Sequence, residues 1–221
     1  MPEMFVSIPV EDFTLEALMQ TGSKDAVAVL CHPHPLYGGT MHNNVVSAMQ
    51  LACSRLGWST LRFNFRGVGR SGGRHGQGEG EVEDVRSVVN YLKSLGYSIF
   101  HWGGYSYGAW VLLKAVQRGL DAESFVLVSP PLDFLPFESL NIPDRPCLVT
   151  AGNDDLFCSV QALKRWLSRQ TVSERNLSLE FFPLCDHFYL GREKGLTDKI
   201  FRFLDGRFNK DGDGRNREPN D

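Results

Sequence analysis

Seven short apolar runs rich in β-branched and aromatic residues punctuate the chain: FVSIPV (5–10), AVAVLCH (26–32), STLRFNF (59–65), IFHWGGY (99–105), SFVLVS (124–129), CLVTAG (147–152) and LSLEFF (177–182). Their length and composition predict strands. Between most of them, apolar side chains return every three or four residues, over 43–56, 82–95, 107–119, 160–170 and 195–205, which predicts helices. In 82–95, for example, Val82, Val85, Val89 and Leu92 share one face while Glu83, Arg86 and Lys93 point outward. Strands alternating with helices require crossover connections. The expected architecture is therefore α/β: a mostly parallel central sheet with helices on both faces.

A chain of 221 residues with 42% hydrophobic content has material for one domain with a sizeable core. We expect that domain to occupy residues 1–206, followed by a disordered tail over 207–221 that has too few apolar residues to offset the entropy of ordering. A formal net charge of -3 gives no electrostatic reason for binding a phosphate backbone, so nucleic acid is not an expected partner. Five cysteines, odd in number and without a CxxC pair, suit free thiols in a reducing compartment. The N-terminal MPEMFVSIPVEDF carries acidic residues where a signal peptide has a basic region, and no run reaches transmembrane length. A cytoplasmic location without membrane insertion is the expectation.

Chemistry is suggested first by Gly104-Tyr105-Ser106-Tyr107-Gly108, which stands where one predicted strand turns directly into a predicted helix. In that context G-x-S-x-G is a nucleophile elbow, in which a sharp turn lifts the serine hydroxyl above the sheet and leaves no room for side chains two residues to either side. The same turn places the Tyr107 N–H at a helix N-terminus, where it can stabilise an oxyanion. A serine needs a base to become nucleophilic, and a base needs an orienting acid. Both candidates follow in order. The strand CLVTAG ends at Gly152-Asn153-Asp154-Asp155, whose carboxylates would sit at the ligand-binding carboxyl edge of the sheet, with Asp155 preferred and Asp154 the close alternative. After LSLEFF, the segment Pro183-Leu184-Cys185-Asp186-His187-Phe188 brings His187 to the same edge. Asp186 is adjacent in sequence, and a neighbour rarely reaches the far nitrogen of the same ring, so a structural or solvent-facing role is expected for it.

Three other segments have alternative readings. The loop Cys31-His32-Pro33-His34-Pro35-Leu36-Tyr37-Gly38-Gly39 follows the second predicted strand, and a backbone N–H of His34, Leu36 or a neighbour is expected to complete the oxyanion site. A zinc reading of Cys31, His32, His34 and His42 is weaker, because the flanking prolines do not match a usual ligand spacing and the serine mechanism needs no metal or other cofactor. Gly67-Val68-Gly69-Arg70-Ser71-Gly72 formally satisfies G-x-G-x-x-G, but glycines continue to Gly80 before helical spacing begins, so a flexible loop is expected instead of a dinucleotide site. In the tail, Asn209, Asp211, Asp213 and Gly214 echo a calcium loop that lacks the closing glutamate, with Asn220 in its place. Tyr37, Tyr105, Tyr107, Phe157, Phe188 and Tyr189 flank the site as either an acyl pocket or ordinary packing.

Taken in order, HPHPLYGGTMHNNVV, LRFNFRGVGRSGG, GYSYGA, AGNDD and CDHFY resemble the α/β-hydrolase superfamily, in particular its predicted hydrolases with an HPHP motif, a group similar to dienelactone hydrolases, serine aminopeptidases and small carboxylesterases. The resemblance runs from about residue 5 to 205 and implies a catalytic triad at Ser106, Asp155 and His187. Cys185 departs from it, since a small residue often precedes the Asp-His pair. Hydrolases of this fold often insert a helical cap, but only SPPLDFLPFESLNIPDRP lies between the strands ending at Ser129 and beginning at Cys147, so no substantial cap is expected. The reading is a serine hydrolase acting on a small carboxylic ester or thioester. Peptidase or amidase action, or a non-catalytic binding protein on the same fold, are the alternatives.

Overall fold

The computed structural model describes residues 2–22 and 25–209. Eight strands form one sheet: β1 (Met4–Val10), β2 (Phe13–Gln20), β3 (Ala26–Cys31), β4 (Ser59–Phe63), β5 (Ile99–Tyr105), β6 (Ser124–Val128), β7 (Cys147–Gly152) and β8 (Leu177–Phe182). Their spatial order is β1-β2-β4-β3-β5-β6-β7-β8. The pairs from β4 to β8 are parallel, whereas β1–β2 and β2–β4 are antiparallel. The parallel strands β3 and β6 are buried along their whole length, as strands covered on both faces must be.

Five α-helices cover the sheet: α1 (Asn44–Arg55), α2 (Glu79–Ser94), α3 (Tyr107–Gln117), α4 (Val160–Leu167) and α5 (Glu193–Phe208). One apolar layer packs α1 and α5, through Val45, Met49, Leu196, Ile200 and Leu204, against Ala28, Leu30 and Val126 of the sheet. The opposite layer packs Val82, Val85, Val88 and Leu92 of α2, most of α3 and Leu163 and Trp166 of α4 against the other face. Helix starts are fixed locally, as where the Asn43 side chain accepts the Val45 N–H and the Ser159 side chain accepts the Ala162 N–H. All five cysteines are buried free thiols. Among the described residues no helix is long and apolar enough to cross a membrane.

Two features differ from the sequence expectation. Strand β2 was not anticipated: it forms because β1 and β4 supply ladders on both its sides, and Leu15, Ala17, Leu18 and Met19 are all buried there without a simple alternation. The glycine-rich segment after β4 is tied down instead of free. Gly67 N–H donates to Gly72 O, Gly72 N–H to Thr14 O, and Arg70 N–H to the Glu16 carboxylate, while Ser71 Oγ donates to Asn64 O. These donors are committed to protein acceptors and form no open phosphate cradle. At the C-terminal end α5 continues to Phe208, so Arg207 and Phe208 of the expected tail are helical, and the rest of that tail from 210 onward, with all of the calcium-like pattern but Asn209, lies outside the described residues.

Candidate active site

The carboxyl edge of the parallel strands carries the site. Central strand β5 ends at Tyr105 and α3 begins at Tyr107, so Ser106 alone makes the turn, with φ of 54°. A non-glycine residue in that region is strained, and the surroundings hold it there: Ser106 N–H donates to Val128 O at 2.9 Å, and Ser106 O accepts the Ala109 N–H at 2.9 Å. The elbow glycines explain themselves by space. A Cβ on Gly104 would fall 2.7 Å from the Ala109 backbone, and one on Gly108 would fall 2.5 Å from Cys31 O.

His187 lies on the loop after β8. Its Nε2 is 2.9 Å from Ser106 Oγ, and its Nδ1 is 3.0 and 2.9 Å from the two carboxylate oxygens of Asp155. A carboxylate only accepts, so Nδ1 carries the proton and Nε2 is left to accept from the serine hydroxyl. Asp155 Oδ1 also accepts the N–H groups of Phe157 and Cys158, each at 2.9 Å. Burial by itself would raise the Asp155 pKa, but the His187 ring and these hydrogen bonds outweigh it and hold the carboxyl below its ordinary value. All three side chains are buried. Asp154 and Asp186 are exposed, and Asp186 accepts the Phe188 N–H in a local turn.

The loop after β3 folds as a short 3-10 turn over Pro35–Tyr37. Its amides are largely committed within the loop: Leu36 N–H to the His34 ring at 3.2 Å, Tyr37 and Gly39 N–H to His34 O, and Gly38 N–H to Pro35 O. Leu36 itself is exposed. His32 is buried and both its ring nitrogens serve the backbone, Nδ1 donating to Pro33 O and Nε2 accepting the Phe65 N–H at 3.0 Å. It clamps the loop after β3 to the loop after β4. Burial lowers its pKa to about 4, so the clamp stays neutral. His42 is exposed. Among the described residues no group of three or more His, Cys, Asp or Glu side chains could hold a metal ion.

Ser106 and His187 open into a cleft of about 420 Å³. Pro33, His34, Gly38 and Gly39 form one side and Pro131, Phe134 and Leu135 another, with Tyr37, Phe157 and Phe188 completing an aromatic wall. Tyr37, Tyr105, Tyr107, Phe157 and Phe188 therefore reach the cleft, as their positions in sequence suggested. Tyr189 does not: it is fully buried, and its hydroxyl bridges Ser129 Oγ and Thr150 Oγ1 at 3.0 and 3.2 Å. Phe134 and Leu135 had no signal in sequence beyond being apolar on a long connection.

The chain belongs to the alpha/beta hydrolase family, whose model matches residues 28–200. The segment between β6 and β7 holds no helix or strand, so the fold lacks a substantial cap. An α/β serine hydrolase homologue from Coxiella burnetii is similar in structure, with a TM-score of 0.83 and 31% identity over 91% of this chain and 97% of that one. So is XC6422 from Xanthomonas campestris, described as an α/β serine hydrolase without a lid, with a TM-score of 0.83 and 27% identity over 91% of this chain and 93% of that one. In sequence the chain is 28% identical over 211 residues to the uncharacterized protein RP471 of Rickettsia prowazekii, covering 92% of this chain and 89% of that protein.

Proposed function

We propose that the chain is a serine hydrolase that cleaves a small carboxylic ester or thioester through an acyl-enzyme. The observation that carries this reading is the unbroken line from Ser106 Oγ to His187 Nε2 and from His187 Nδ1 to Asp155, at the floor of an open cleft. Ser106 Oγ attacks the carbonyl carbon as its proton passes to His187 Nε2. The tetrahedral oxyanion collapses, the bond to the alcohol or thiol breaks, and that leaving group takes the proton from Nε2. Water then attacks the acyl group, gives a proton to Nε2, and frees the carboxylic acid with Ser106 restored. Asp155 orients the ring and stabilises the imidazolium between these steps.

For the oxyanion, the Tyr107 N–H at the start of α3 is one donor. The other is the His34 N–H, favoured over that of Leu36 because the latter already donates to the His34 ring. The aromatic and proline lining of the cleft, with no Lys, Arg, Asp or Glu on its wall among the described residues, favours an uncharged acyl group. The five buried free thiols fit a reducing, cytoplasmic setting. A series of p-nitrophenyl esters tests the function: wild type is expected to turn over short and medium acyl esters and Ser106→Ala to fall by about 10³-fold or more. Equal rates for the two proteins would refute the assignment.

A further inference from the structure

The glycine-rich segment before α2 has no part in the triad, yet it ends against the oxyanion loop. Glu81, in the first turn of α2, is fully buried. Its carboxylate accepts the Gly76 N–H at 2.9 Å and the Gly78 N–H at 2.7 Å, and Oε1 lies 2.9 Å from His75 Nδ1, a buried nitrogen that makes no hydrogen bond. The backbone between them is in the left-handed region at Gln77 and Gly78, with φ of 52° and 92°. A Cβ on Gly78 would fall 2.3 Å from the Trp110 ring of α3, so the turn is seated on that helix without slack. At the entry to this turn, the His75 ring packs 5.3 Å from the His34 ring and 5.7 Å from the Tyr107 ring, and His34 and Tyr107 pack 4.5 Å from each other.

We infer that His75 and Glu81 are positioning residues for the oxyanion site: Glu81 fixes the glycine turn, and the turn presses the His75 ring against the two residues whose N–H groups receive the developing charge. The inference rests on the serine hydrolase reading given above. The physical need is plain. The two donors come from different elements, the loop after β3 and the start of α3, and an oxyanion pocket stabilises charge only if its donors are fixed before reaction. His75 is the wedge that touches both. Because the ring contacts neither Ser106 nor His187, its effect falls on the transition state and leaves the triad intact.

The test compares wild type, His75→Ala, His75→Phe and Glu81→Gln, each checked for folding by circular dichroism and Tm. It measures kcat and KM on a p-nitrophenyl ester, inhibition by phenylboronic acid, whose serine adduct mimics the tetrahedral state, and fluorophosphonate labelling. Removing an oxyanion donor outright costs about 10²–10³ in kcat, and a donor left in place but loosened should cost less. His75→Ala is expected to lose about tenfold in kcat with KM within about twofold, and to weaken phenylboronic acid by the same factor. His75→Phe, which keeps a flat ring, should recover to within about threefold of wild type, and Glu81→Gln, which keeps one acceptor oxygen, should lie between. A folded His75→Ala with kcat unchanged, or His75→Phe as slow as His75→Ala, would overturn the positioning role while wild-type labelling leaves the hydrolase reading standing. Should His75→Ala fail to fold, His75→Phe and Glu81→Gln carry the same comparison, and wild-type rates in Glu81→Gln would overturn it. Absence of labelling in folded wild type would remove both.

Discussion

The hydroxyl of Tyr105 donates a 2.8 Å hydrogen bond to the main-chain carbonyl of His187, joining the residue before the proposed nucleophile to the residue proposed as its base. The two are 82 positions apart in the chain and buried together. The bond ties the loop after β8 to the end of the central strand, so the Ser106–His187 distance is set by the sheet itself. Tyr105→Phe leaves a buried carbonyl without its donor, which costs about 1–3 kcal/mol. We expect lower stability in urea unfolding together with a kcat loss of several-fold. Unchanged kcat would mean that the loop is held by other contacts.

Asp155 and Asp154 are neighbours with opposite environments, one buried against His187 and the other exposed. Asp155→Asn keeps the shape but removes the charge that sets the ring tautomer, and should lower kcat by about 10⁴-fold, whereas Asp154→Asn should stay within about twofold. Steady-state kinetics on one ester decides between them, and the reverse pattern would move the acid to Asp154.

The choice between these two carboxylates was open in the sequence, because both follow the glycine that ends β7. What separates them is the turn in which Asp155 accepts the Phe157 and Cys158 amides, a local geometry without a spacing signature. The alternating strands and helices were legible because a two-sided sheet leaves continuous apolar runs between helical periods. Strand β2 was not, since FTLEALMQ has weak strand propensity and is strand only through its partners. Glu81 and Asp84 were unreadable as buried groups for a related reason: their partners, the glycine amides and Arg66, meet them only in the fold.

Acid should destabilise the protein through its buried neutral histidines. Burial lowers the pKa of His32 to about 4 and that of His101 to about 3, both below the ordinary value of 6.5. Between those values and 6.5 the unfolded chain takes protons that the folded chain refuses, so stability is full above pH 6.5 and falls as pH drops through this window. At pH 5 each histidine is expected to account for about 2 kcal/mol. Urea midpoints at pH 7.5 and at pH 5 measure the loss; equal midpoints would mean that these rings accept protons in the folded state.

The elbow tolerates no added carbon. With a Cβ at Gly108 only 2.5 Å from Cys31 O, Gly108→Ala must displace either α3 or the end of β3, at about 1–3 kcal/mol or more. We expect a lower Tm and loss of most activity, measured by thermal unfolding and ester hydrolysis, while Gly96→Ala, where a Cβ would meet nothing within 4 Å but the φ of 92° strains an alanine, should lower Tm and keep its activity. Wild-type activity in Gly108→Ala would show that the turn is looser than its contacts indicate.

The role of Ser106 is tested most directly by intact-protein mass spectrometry after treatment with a fluorophosphonate, with Ser106→Ala and His187→Ala as controls. A single adduct on wild type, mapped to the peptide containing Ser106, absent from Ser106→Ala and strongly slowed in His187→Ala, is the expected result. A folded wild-type protein that takes up no phosphonate, or one labelled equally when Ser106 is alanine, would contradict the assignment of this serine as an activated nucleophile.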